Sequence, residues 1–189
     1  MRTNVIGIFI GLAMIGISPI GAAESIQDKE CGSKVLPALI KDAAKLAKAD
    51  PKYVVMVDDP RAFCSCLGIK DTEKVARVIN NKRAFVLNNS FPIYLNMDGE
   101  AKELSDEYKK TGDKYLKVFF ASYLVHENYH VESGSDVESE ALKRELAFLL
   151  KNGINPSDPN VTLLQKRVEE AQAQEKNGVS QTVLVGMTR

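Results

Sequence analysis

The sequence predicts an α+β fold: a small domain with a short β-sheet, a central apolar helix that carries its chemistry near the C-terminal end, and a second helix that completes the site. Three observations lead there. Apolar residues recur at three- and four-residue spacing over 33–49, 113–130, 136–151 and 161–174, which is the helical period. Only short runs, 53–57, 83–87 and 92–95, have strand character. Residues 117–130 form an apolar lead-in that ends in His126-Glu127-x-x-His130, and the 189-residue chain holds two histidines, both in this motif.

The chain opens with Met1-Arg2-Thr3-Asn4, followed by a charge-free apolar run over 5–20 and then Gly21-Ala22-Ala23. A basic start, an apolar middle and small residues at the end are the layout of a secretory signal peptide, with cleavage expected after Ala23. Residues 24–189 are then expected to form one domain, secreted or periplasmic, with 154–189 as a C-terminal helix and tail. No later apolar run is long enough to cross a bilayer, so no stable span is expected after signal cleavage. Lys and Arg number 25, matching 25 Asp and Glu. That balance gives no reason to expect nucleic acid or an anionic membrane as partner.

Cysteines stand at 31, 64 and 66. In an exported chain disulfides are permitted. Cys64 and Cys66 are too close in sequence to pair comfortably, so Cys31 is expected to bridge to one of them and leave one thiol over.

The first helix is expected over 33–49, with Ser33 as a possible cap and Pro37 in its first turns. Asp50-Pro51 ends it, and 53–57 reads as a buried strand. Asp58-Asp59-Pro60 turns the chain toward a cysteine loop. Asp71 caps a brief helix through Val75, Val78 and Ile79. Runs 83–87 and 92–95 flank Asn88-Asn89-Ser90 as a hairpin. Pro92 has no N–H to give a neighbour, which predicts an edge strand, open to an extended peptide. The charged stretch 100–110 is expected to be solvated and to cover one side of the site.

The central helix starts near Asp113. Residues four apart on a helix lie on one face. His126 and His130 therefore aim both imidazoles at one divalent cation, expected to be Zn2+. Glu127 sits beside that cation, placed to take a proton from an activated water and pass it to a leaving amine. A catalytic zinc site needs a third protein ligand. Neither histidine is spare, so an acid must supply it, and 132–140 holds Glu132, Asp136, Glu138 and Glu140. On a helix over 136–151, Val137, Ala141, Leu142, Leu146, Phe148 and Leu149 mark an apolar face. Glu138 and Glu145 fall within that face, while Glu140 points away. A carboxylate on an apolar face is costly without a partner, and a metal is such a partner. Glu138 is thus the first choice, with Glu140 and Asp136 as alternatives.

Over 113–151 the chain resembles the gluzincin group of zinc metallopeptidases, in which His-Glu-x-x-His on one helix is completed by a glutamate on the next, often within E-x-x-A-[DN]. Glu138-Ser139-Glu140-Ala141 matches E-x-x-A. The resemblance implies a zincin-like fold, zinc ligands His126, His130 and Glu138, Glu127 as general base and acid, and a peptide or protein substrate. Leu142 departs from the pattern, where an Asp or Asn would orient a ligand histidine, so Glu145 or Glu140 must serve instead. With no third histidine, the oxyanion donor is expected to be a tyrosine: Tyr94, Tyr123 or Tyr129. The other expectation for such a chain is a non-catalytic, exported metal-binding or interaction protein on the same scaffold.

Overall fold

The structure, a computed structural model, describes residues 31–177. The leader expected over 1–23 and the tail after 177 lie outside the described residues.

Helix α1 spans Ala38–Ala47 and buries Leu39, Ile40, Ala43 and Ala44. It starts later than the apolar spacing predicts. A proline disfavours helical backbone in the residue before it, and Pro37 stands at the N-cap. Ser33 caps nothing: its N–H donates to the Met56 carbonyl at 2.9 Å and its carbonyl accepts from Met56 N–H at 2.8 Å. Gly32 makes that approach possible, since with φ +103° a Cβ there would sit 2.6 Å from Val55 Cγ1.

A single 3-10 turn, Pro51–Tyr53, leads into β1, Val54–Val57. The stretch expected as a cysteine loop is helical. Helix α2 runs Pro60–Cys66, with Asp59 accepting from Arg61 N and Ala62 N and Pro60 in the first turn, where its missing N–H costs nothing. Helix α3, Thr72–Asn80, is capped by Asp71 as expected. Strands β2, Ala84–Leu87, and β3, Ser90–Asn96, form a hairpin. Asn88 and Asn89 both take positive φ, 53° and 50°, the backbone that a two-residue hairpin turn requires.

The sheet order is β1-β3-β2, with β3 parallel to β1 and antiparallel to β2. The strand containing Pro92 is therefore central, which corrects the edge placement. Pro92 is tolerated because ladder pairing with β1 begins one residue later, at Ile93, and the β2 register shifts between Val86 and Leu87. With partners on both sides, β3 has no free edge for an added strand.

Val54, Met56, Ala84, Val86, Ile93 and Leu95 face a core shared with α1 and with Phe120 and Leu124. Val55, Val57, Phe85, Leu87 and Tyr94 face a second core built from Phe63, Cys64, Val75 and Ile79 of α2 and α3. Both faces are covered, so β1 and β2 are continuously buried and apolar rather than alternating. Cys31 and Cys66 form a disulfide, and Cys64 is the buried thiol left over.

Helix α4, Gly99–Thr111, is capped by Asp98 and buries Ala101 and Tyr108. Tyr108 donates to Asp42 of α1 at 2.8 Å, so this charged helix packs on α1 with one face. Helix α5, Lys114–Ser133, is capped by Asp113, whose carboxylate accepts from Tyr115 N at 2.8 Å, and it ends at Gly134 with φ 61°. Its Phe120 and Leu124 belong to the sheet core. Val118 and Phe119 belong to a third core with Leu142 and Leu149 of α6 (Glu138–Lys151) and Val161, Leu164 and Val168 of α7 (Pro159–Lys176). Packed from two sides, α5 is a rigid carrier for whatever its last turns present. No helix among the described residues is long and apolar enough to cross a membrane.

Candidate metal centre

His126 and His130 stand one turn apart near the end of α5, with ring centroids 5.2 Å apart and both rings buried. The left-handed residue Gly134 ends α5 abruptly, and a four-residue connection brings α6 back across it. Glu138 is the first residue of α6. A carboxylate there also faces the positive end of the helix dipole. One Glu138 oxygen lies 3.4 Å from His126 Nε2 and the other 3.5 Å from His130 Nε2. The three ligand atoms lie within 4.8 Å of one another, all on buried residues, so the group can hold a metal ion.

The Nδ1 atoms are used elsewhere, and this decides which nitrogens face the centre. His126 Nδ1 lies 3.1 Å from Glu145 Oε2, and His130 Nδ1 lies 2.8 Å from the Ser135 carbonyl. A carbonyl only accepts, so His130 Nδ1 carries the proton and Nε2 presents its lone pair to the site. The Glu145 carboxylate imposes the same tautomer on His126, the outer partnership that metal-ligating histidines normally show. Glu145 is itself 3 % exposed and accepts from Ser122 Oγ at 3.3 Å.

Electrostatics reflect this enclosure. Burial disfavours a charged His126, but the facing Glu138, then Glu145 and Glu127, outweigh it and hold the ring's pKa well above its ordinary value. Burial likewise works to raise the Glu138 pKa, and His126 and His130 reverse that, leaving it well below the usual carboxylate range. Without a cation, protonated His126 pairs with Glu138 in this buried cluster, so a metal entering it displaces a proton.

Among the alternative third ligands, Glu140 is exposed and pairs with Lys143 at 2.5 Å, and Asp136 is exposed and accepts from Asn89 Nδ2 at 2.5 Å. Neither belongs to the cluster. Glu145 fills the orienting role left open by Leu142, which is itself fully buried in the third core. Glu127 is 8 % exposed on the turn that carries His126.

Two cations that sequence patterns did not single out converge on the same acids. Arg167 of α7 places Nη2 3.9 Å from Glu138 Oε1, and neither Nη atom has a hydrogen-bond partner among the described residues. Lys82, between α3 and β2, is half-buried; burial lowers its pKa, opposed by the carboxylates of Glu127 and Glu138. No periodicity marks either residue, because each reaches the site from an element distant in sequence.

Of the tyrosines expected as donors, Tyr94 and Tyr123 are committed to the cores, whereas Tyr129 packs on His130 with 5.6 Å between ring centroids. Tyr94 stacks on Phe85, 5.2 Å between centroids, on the sheet face turned to α2 and α3. Tyr123 is buried in the sheet core, and Tyr129 lies under the Arg144 guanidinium at 4.6 Å. No family model, curated protein or solved structure matches this chain.

Proposed function

We propose that this chain is an exported zinc-dependent metallopeptidase. The observation that carries the reading is the buried convergence of His126, His130 and Glu138, with both histidine Nδ1 atoms already committed and both Nε2 atoms turned inward. Two imidazoles and one carboxylate are the donor set of a catalytic zinc site that keeps a position open. Zinc bound there supplies Lewis acidity, making a water acidic near neutral pH and polarising a carbonyl.

The remaining steps belong to the chain. Glu127 accepts a proton as water oxygen bonds to the peptide carbonyl carbon. It then gives that proton to the departing nitrogen as the C–N bond breaks. Glu145 and the Ser135 carbonyl keep the two rings from turning. Export is supported by the leader-like composition of 1–23 and by the Cys31–Cys66 bridge, which persists in oxidising compartments. The substrate is a peptide or protein.

The test uses purified protein of residues 24–189. Zinc content by mass spectrometry is expected at one per chain, with cleavage of labelled casein that chelator abolishes and zinc restores. Glu127→Gln is expected to keep the zinc and lose the cleavage. A wild type that binds no zinc at micromolar concentration overturns the metal site, and a Glu127→Gln variant as active as wild type overturns the peptidase.

A further inference from the structure

The two oxygens of Glu138 are not equivalent. Oε2 lies 3.5 Å from His130 Nε2 and makes no other ion pair among the described residues. Oε1 lies 3.4 Å from His126 Nε2 and 3.9 Å from Arg167 Nη2. A histidine that ligates a metal through Nε2 has no N–H there to offer a carboxylate. Once His126 does so, Arg167 is the cation left beside Oε1.

Arg167 has no competing engagement. Both its Nη atoms are buried without a hydrogen-bond partner, and Glu138 is its one ion-pair partner among the described residues. A buried guanidinium so poorly satisfied is costly, and closing on Oε1 relieves that cost. On its other side the residue lines, with Glu145 and Asn160, a cavity of ≈ 10 Å³. That space admits about one water and no substrate group, so the charge serves the protein's own carboxylate.

Helix α7 holds both members of this pair. Its start is tied to α5: Tyr115 donates to Asp158 at 2.9 Å, and Asn160 Nδ2 donates to the Tyr115 hydroxyl at 2.9 Å. Near its other end, Glu175 accepts from Ser139 N–H at 3.0 Å and from Ser139 Oγ at 2.6 Å. Ser139 follows Glu138 directly, so the turn that carries the carboxylate is pinned by the helix that carries Arg167. Asn160, Leu164, Arg167, Ala171 and Glu175 recur at three- and four-residue spacing and share one face of α7.

Resting on the metal site of the proposed function and not on its peptidase chemistry, we infer that Arg167 is a positioning residue: it occupies Oε1 of Glu138, so that Glu138 ligates through Oε2 alone and the metal keeps a position free for water.

The test loads wild type, Arg167→Met and Arg167→Lys with cobalt(II), whose visible absorption distinguishes four- from five-coordinate sites, and titrates each with zinc. Wild type is expected to show the intense band of four-coordinate cobalt. Arg167→Met frees Oε1 to bind as well, so its band should weaken toward the five-coordinate form, while Arg167→Lys keeps a cation there and retains the band. Removing a positive charge beside a cation should leave the zinc affinity of Arg167→Met equal to or above wild type. Its kcat on labelled casein should fall about 10- to 100-fold, the usual cost of losing a group that orients a metal ligand. An arginine that merely props α7 on α6 would instead lower Tm and leave the cobalt band unaltered. That result, or a five-coordinate wild type, overturns the inference, and the wild-type and Arg167→Lys spectra decide it even where Arg167→Met does not fold. A zinc-loaded wild type without cleavage overturns the peptidase reading and leaves this inference standing. A wild type that takes up neither metal overturns both.

Discussion

Replacing Glu145 by Gln tests whether the metal centre depends on the group behind it. Glutamine keeps the shape and one acceptor for His126 Nδ1 but removes a buried negative charge. Its oxygen lies 3.1 Å from Nδ1. Adding the width of the ring and a Zn–N bond puts the charge about 7 Å from a zinc ion on Nε2. A unit charge and a divalent ion at that distance interact by about 1 kcal/mol at the dielectric constant of water and about 5 kcal/mol at an effective value of 20. Loss of an outer-shell partner typically weakens metal binding by about 10- to 100-fold, which is about 1.4 to 2.8 kcal/mol and falls inside that range.

Protons modify the result in a defined direction. Glu145 also helps hold the His126 pKa well above its ordinary value, so below that pKa zinc must displace a proton from the wild type. The variant holds that proton less tightly and recovers part of its loss there. The deficit in zinc affinity should therefore be larger at alkaline pH than near neutrality, since it grows as His126 loses its proton. Competition against a fluorescent zinc indicator at pH 7 and pH 9 measures this. Affinity within twofold of wild type at both pH values, in a protein where His126→Ala abolishes binding, would refute the reasoning.

The choice among acids is checked the same way: Glu138→Gln should weaken zinc binding at least about 100-fold, whereas Glu140→Gln and Asp136→Asn should match wild type within about threefold in the same titration. The Cys31–Cys66 bridge spans a sequence separation of 35, for which loop-closure entropy gives about 4 kcal/mol. Urea unfolding of a Cys31→Ser, Cys66→Ser protein should report a loss of a few kcal/mol, and an unchanged midpoint contradicts it. Cys64 is fully buried, and that burial pushes its thiol up to about 11. It should resist a thiol reagent at pH 8 in the native protein and react promptly in denaturant; rapid native labelling would show the α2–α3 core to be open.

Local chemistry made several elements readable without tertiary information. Asp71, Asp98 and Asp113 each precede a helix, and each side chain accepts from a backbone N–H in the first turn, because that bond needs only nearby residues. The 53–57, 83–87 and 92–95 runs are strands within a residue or two. The failures are of another kind. Pro92 reads as an edge because an isolated strand cannot show that β1 begins pairing only at Ile93 and that the β2 register shifts around the proline. The helix expected from Ser33 starts at Ala38 because Ser33 bridges to Met56, a bond made across the fold. The 60–66 segment reads as a loop, since its apolar content is Ala62, Phe63 and two cysteines and its helix is short.

The sequence by itself determined the pairing of His126 with His130, since four residues on a helix place two side chains on one face whatever surrounds them. It also narrowed the third ligand to nearby acids, because the next helix had to return across the first. Only the tertiary structure decided that Glu138 rather than Glu140 or Asp136 meets the rings, and that Glu145 and the Ser135 carbonyl set both tautomers. It alone brought Arg167 and Lys82 to the same carboxylates. Those choices depend on how α3, α5, α6 and α7 pack in three dimensions. Helical periodicity encodes which face of an element is buried, and it carries no record of what that face will meet.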